Sequence, residues 1–146
     1  MIPESKYIKK EIIIREMGLN DEVKLTRNSL VRWVALSLGL ISPNESRKLL
    51  IGLLDVLFEF FAKGEEPTTK EILEALGKKK GAEQNPKAVY YHLQKLKERG
   101  LLQREKGKYF ISRERGKLSE ALREIYMRDV NGAFGNIEVA LRALEK

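Results

Sequence analysis

Residues 85–112 read NPKAVYYHLQKLKERGLLQREKGKYFIS, and this stretch decides the fold. Asparagine followed by proline is a helix N-cap with proline at the first helical position, where its missing N–H has no partner to lose. Gly100 supplies the matching C-terminal stop. Between them, Val89, Leu93 and Leu96 fall within about 60° of one another on a helical wheel, so the helix has one narrow apolar face. The opposite face carries Lys87, Tyr91, Gln94, Lys95 and Glu98, with Tyr90 on its border. After the glycine, Leu101–Glu105 and Lys108–Ser112 are two short strand candidates around Lys106-Gly107, which makes a hairpin.

Immediately upstream, Thr68 and Glu71 have the spacing of a capping box, which predicts a short helix from Thr69 to about Leu76. Gly77–Gln84 then reads as a basic, flexible connection. Ser42-Pro43-Asn44-Glu45 is a second capping signal, and a helix should run from there to about Lys63, stopped by Gly64. Its apolar set (Leu49, Leu50, Leu53, Leu54, Leu57, Phe58 and Phe61) is wider than one core-facing stripe. Such a helix is central to a fold or shared with a second subunit. Leu30–Leu40 predicts a well-buried helix ending at Gly39. In the first 25 residues, β-branched Ile12–Ile14 and the turn formers Gly18, Asn20 and Asp21 favour a hairpin, although a short helix over Tyr7–Met17 fits almost as well. Beyond the basic hairpin, Glu114–Arg128 and Ala133–Leu144 read as two amphipathic helices separated by Asn131-Gly132. The expected division is an N-terminal extension over 1–41, a central domain over 42–112 and a helical C-terminal extension over 113–146.

The composition narrows the function. The chain has 146 residues, 42% hydrophobic and 34% charged, with no Cys and one His. Disulfides and thiolate metal sites are therefore excluded, and no His cluster exists to bind metal. A Lys/Glu/Arg-rich, Cys-free chain is thermophile-like. The most apolar stretch, Leu49–Phe61, is too short and too charged for a membrane span, which needs roughly 20 apolar residues. No signal peptide is visible, so the expectation is a soluble cytoplasmic protein. The net charge of +7 is localised. Residues 78–113 hold eleven Lys/Arg against Glu83, Glu98 and Glu105, a net +8, while the other 110 residues hold seventeen against eighteen, a net −1. Charge concentrated in this way is an electrostatic footprint for a polyanion.

Long helix, short helix, connection, second helix ending in glycine, basic hairpin: on PTTKEILEAL and the stretch quoted above, the sequence resembles the winged helix-turn-helix superfamily, especially ArsR- and MarR-like regulators. The resemblance covers about 46 residues, from Pro67 to Ser112, or roughly 70 if the helix from Pro43 is included. It implies a mainly α fold with a small β-hairpin wing: a winged helix-turn-helix with helical N- and C-terminal extensions. It also implies a DNA-binding transcription regulator with its recognition helix in the major groove and a short basic wing. Lys87 and Gln94 then reach base edges, and Tyr90 and Tyr91 pack on sugars or thymine methyls. Thr69, Lys70, Lys78, Lys79, Lys80 and Lys95 contact phosphates, and the wing places Arg104, Lys106 and Lys108 beside the minor groove. The partners expected are double-stranded DNA and a second copy of the chain, through the helix from Pro43 and the C-terminal helices. The Leu118, Leu122, Ile125, Tyr126 stripe and the Phe134, Ile137, Leu141, Leu144 stripe motivate that homodimer.

Plainer readings stand beside these. His92 borders the core and has a packing role as its first reading; the Lys78–Lys80 run is an ordinary solvated loop until its place beside the second helix is considered. No phosphate loop, nucleophile elbow, metal-ligand spacing or carboxylate pair is present, so neither enzyme activity nor a metal or cofactor is expected. The rival functions are a winged-helix adaptor meeting an acidic protein partner, and an RNA-binding protein using the same basic face. Fold alone does not choose among them.

Overall fold

The computed structural model describes residues 1–44, 47–81, 84–114 and 116–146. Five helices and one hairpin follow in order: α1 Arg27–Ser37, α2 Lys48–Ala62, α3 Thr69–Lys80, α4 Pro86–Glu98, β1 Gln103–Glu105, β2 Lys108–Phe110 and α5 Leu118–Leu144. The expected class holds: the chain is mainly helical with a two-stranded antiparallel wing. α2 lies at the centre, packed against α1, α3, α4 and α5. Its wide apolar set is consumed there, with Leu50, Ile51, Leu53, Leu54, Val56 and Leu57 all buried. α2 is thus an internal hub, with Leu49, Phe58 and Phe61 half-buried at its edges. One continuous core joins Val31 and Ala35 of α1 to Ile125 and Tyr126 of α5, so α1 and the first half of α5 pack with the central helices.

Several boundaries differ from the sequence reading, each for a physical reason. The expected hairpin within the first 25 residues is absent, and so is the alternative helix. A 3-10 turn over Pro3–Tyr7 leads into an extended strap, and a second 3-10 turn spans Val23–Leu25. The strap is satisfied by α1 rather than by itself. The Arg15 N–H donates to Ser37 O at 2.8 Å, the Arg15 guanidinium donates to Leu36 O and Ile41 O, and Trp33 Nε1 donates to Gly18 O at 2.8 Å. α2 starts at Lys48 instead of Pro43, because Pro43 and Asn44 form a turn. Glu45, the reciprocating half of the expected capping box, lies outside the described residues. α3 does not stop at Leu76 but runs through Gly77 to Lys80, where Gly81 takes a left-handed C-cap at φ 68°. The two expected C-terminal helices are one, uninterrupted at Asn131-Gly132.

The wing is short. Gln103 faces Phe110, Arg104 faces Tyr109 and Glu105 faces Lys108. Lys106 and Gly107 both have positive φ, 52° and 81°, as a two-residue turn matching the strand twist requires. An isolated hairpin is only marginally stable. Here Tyr109 and Phe110 are buried, the Tyr109 N–H donates to Pro67 O at 2.8 Å, and Lys108 bridges to Thr68. The wing root is therefore tied to the start of α3.

Candidate nucleic-acid interface

α4 forms as its sequence dictates. The Asn85 side chain accepts from the Lys87 N–H at 3.0 Å, and Pro86 occupies the first turn. Val89, Leu93 and Leu96 are 0%, 1% and 5% exposed. Burying this face fixes which side of the helix meets solvent. Lys87, Tyr90, Tyr91, Gln94, Lys95 and Glu98 are exposed, with Tyr90 and Tyr91 about half accessible. Two bare tyrosines on one helix are costly to leave in water, and they are suited to stacking on flat or apolar surfaces. Lys95 Nζ sits 5.5 Å over the Tyr91 ring and 3.5 Å from the Glu98 carboxylate. The arrangement is an exposed surface pair that holds Lys95 only weakly.

His92 is half-buried at the edge of this face, its ring edge-on to Tyr91 at 5.4 Å. Burial, and then the positive field of Arg47 at the start of α2, pull its pKa below the ordinary value of 6.5. His92 is accordingly neutral at pH 7 and packs rather than adding charge. The nearness of Arg47 is informative. The start of α2 approaches α4 and, with Lys48 and Arg32, lines a cleft beside the end of α3. Neither Arg47 nor Lys48 stood out in the sequence, since His92 and Lys80, which they approach, lie 45 and 32 residues further along the chain.

The remaining predicted residues divide into those the fold leaves at the surface and those it uses internally. Lys70 and Lys78 are exposed on α3, and Arg104, Lys106 and Lys108 are exposed on the wing. Arg104 stacks 5.0 Å over Tyr109, and Lys108 lies near enough to Glu71 to help depress its pKa, whose larger causes are the Thr68 backbone and side-chain bonds. Thr69 does not offer a phosphate contact. It is 6% exposed and its hydroxyl lies 3.4 Å from the Tyr109 hydroxyl. Its neighbour Thr68 closes the capping box, its hydroxyl accepting from the Glu71 N–H at 3.2 Å. Lys79 is turned towards α2, donating to Glu59 at 2.7 Å and Asp55 at 3.0 Å. Desolvation pulls against it, but these carboxylates prevail and raise its pKa, while Lys79 and Arg27 together lower that of Asp55 against the opposing desolvation. Lys80 lies over Gly52, with Nζ 3.5 Å from Lys48 O. The Lys78–Lys80 run is thus the last turn of a helix, not a loop.

Two further cations of the basic segment serve the fold. Arg99 donates to Leu38 O at 2.8 Å and Gly39 O at 3.2 Å, clamping α4 to the end of α1 beside Tyr126. Arg113 stacks on Phe110 at 4.1 Å and pairs with Glu66 and Glu105. With Lys79, Arg99 and Arg113 committed, Lys87, Lys97, Arg104, Lys106 and Lys108 carry no ion pair among the described residues. Positive charge therefore gathers on the α4 face and the wing. Among the described residues no group of three acidic, His or Cys side chains is placed to hold a metal ion, and no helix is long and apolar enough to cross a membrane.

Residues 55–118 match the family model of the ribonuclease R winged-helix domain. The match begins within α2, takes in α3, α4 and both wing strands, and ends at the first residue of α5. Fold and match agree that the chain carries a winged-helix domain. The match is to the model of that domain and not to ArsR- or MarR-like regulators, so this part of the expectation is not supported. No curated protein and no solved structure matches the chain.

Proposed function

We propose that this protein is a DNA-binding transcription regulator, acting as a homodimer, that lays α4 in the major groove and its wing against the adjacent backbone. One observation carries the reading: the exposed side of α4 bears Lys87, Tyr91, Gln94 and Lys95 opposite a face buried to 5% or less. A helix of about 10–12 Å overall diameter enters a major groove about 12 Å wide. Lys87 and Gln94 stand at the base edges, Tyr90 and Tyr91 at sugars and methyl groups, and Lys95, Lys70, Lys78, Lys106 and Lys108 at phosphates. The protein acts in the cytoplasm by binding rather than by catalysis, and needs no cofactor. A two-fold dimer sets two such faces against the halves of a palindromic site.

A second reading is favoured by a specific observation. The matching family model is the winged-helix domain of ribonuclease R, and a basic face with two exposed tyrosines also suits stacking on unpaired RNA bases. Fluorescence-anisotropy titrations with random duplex DNA, duplex RNA and single-stranded RNA, each at low and moderate salt, separate the readings. Tightest binding to duplex DNA with a steep salt dependence supports the regulator. Preference for RNA supports the second reading. Absence of binding to all three even at low salt overturns both and turns the search to an acidic protein partner.

A further inference from the structure

α5 does not finish inside the domain. Its first half packs through Leu118, Ala121, Leu122, Ile125 and Tyr126, yet every residue from 131 to 146 is exposed. Apolar side chains do not scatter over this free half. Met127, Val130, Phe134, Ile137, Leu141 and Leu144 recur at spacings of three, four, three, four and three, the a/d repeat of a coiled coil. Met127, Phe134, Ile137 and Leu141 are 41–49% exposed and Leu144 is 81% exposed. On the helical wheel this seam points about 120° away from the face that meets the core. The domain's own packing therefore leaves it open except at Val130, which is half-buried. Six layers of one seam, none charged, are far more ordered than solvent exposure alone would produce.

We infer that this seam pairs with the same seam of a second copy, as an antiparallel two-helix coil centred near Gly135-Asn136. The inference deepens the homodimer named above, and places it on α5 alone. Eleven residues a side fall at the a, d, e and g positions between Met127 and Glu145, a small interface beside the roughly 20–30 a side of a standard one. Orientation follows from the side chains. The d positions are Val130, Ile137 and Leu144, and β-branched residues at d suit parallel dimers poorly. In the antiparallel register Met127 faces the other copy's Leu144, Val130 its Leu141 and Phe134 its Ile137, so all six layers are used. The flanking positions nearest the two-fold then bring Ala133 to Ala140, which permits close approach, and Asn131 to Glu138, which opposes no like charges.

Sedimentation of the full chain without nucleic acid tests the pairing. The unaltered protein is expected to be a dimer at micromolar concentration. Ile137→Glu should raise the dissociation constant at least about a hundredfold, while Val139→Glu, on the far side of the same helix, should leave it within about threefold. A monomeric unaltered chain, or equal effects of the two substitutions, overturns the proposal. Because the chain has no Cys, mixing Met127→Cys and Leu144→Cys chains under oxidation reads the orientation. A mixed disulfide supports the antiparallel register, and disulfides only between identical chains overturn it. A dimer without DNA affinity would overturn the proposed function and leave the seam standing; a monomer that binds DNA would do the reverse.

Discussion

Two lysines of the basic segment, Lys79 and Lys106, look alike in the sequence and should behave oppositely when removed. Lys106 sits at the tip of the wing with no ion pair among the described residues. Lys79 is held between Asp55 and Glu59, with its side chain 32% accessible and that of Asp55 18%. If Lys106 neutralises one phosphate, Lys106→Ala should flatten the log–log salt dependence of DNA binding by about 0.9 and leave the melting temperature within about 1 °C. Lys79→Ala should leave the salt slope unchanged. Its cost falls on folding. Two partly exposed pairs are worth up to about 1 kcal/mol each, but Arg27 still holds Asp55, so a net loss of about 1 kcal/mol is expected. For a chain of this size that lowers the melting temperature by about 3 °C. Anisotropy titrations at four salt concentrations, with thermal melts by circular dichroism, measure both quantities. Equal flattening by the two substitutions would refute the reasoning, since a lysine committed to α2 would then be contacting phosphate.

Lys87→Ala and Gln94→Ala should each relax sequence preference in a selection from random duplexes, by about 1–3 kcal/mol at the position read; an unchanged preference would remove the α4 assignment. Thr68→Ala breaks the capping box of α3 and should cost about 1 kcal/mol in urea unfolding, with the loss absent if the Thr68–Glu71 bonds contribute nothing. His92 has a folded-state pKa below its unfolded value, so the unfolded chain binds more protons. Stability should be full above the unfolded value of about 6.5 and fall as the pH drops below it. His92→Gln should remove that part of the pH dependence, and an identical profile for the variant would show that His92 is not the group responsible.

The parts of the fold readable from sequence were those whose determinants lie within one turn of each other. Asn85-Pro86, Gly100 and the Val89, Leu93, Leu96 face specify α4 locally, and Lys106-Gly107 specifies the wing turn. The misread parts are decided at a distance. Gly77 resembled a helix end because glycine within a helix costs about 1 kcal/mol relative to alanine. The helix continues because Lys79 finds carboxylates 20 and 24 residues upstream, beyond any local window. Ile12–Ile14 looked like a strand, but Arg15 and Trp33 tie the segment to α1 instead. Thr69 had the chemistry of a phosphate ligand, and only the packing of Tyr109 across α3 buries it. The exposed face of α4 was legible because burial of its other side settles it; the internal commitments of Lys79, Arg99 and Arg113 were not.

The same distinction governs the two apolar faces that first suggested self-association. Breadth drew attention to α2, yet a broad face is what a central helix needs when four others surround it, and those neighbours bury most of it, leaving Leu49, Phe58 and Phe61 half-buried. The free half of α5 has fewer apolar residues, arranged with a stricter period. Period says more than breadth, because a hub helix can satisfy many packing geometries whereas a six-layer a/d seam satisfies one. A helix run of this length also explains why Asn131-Gly132 does not break α5. α5 holds two glycines, Gly132 and Gly135, at about 1 kcal/mol each relative to alanine, a cost spread over 27 residues that the proposed pairing would offset further.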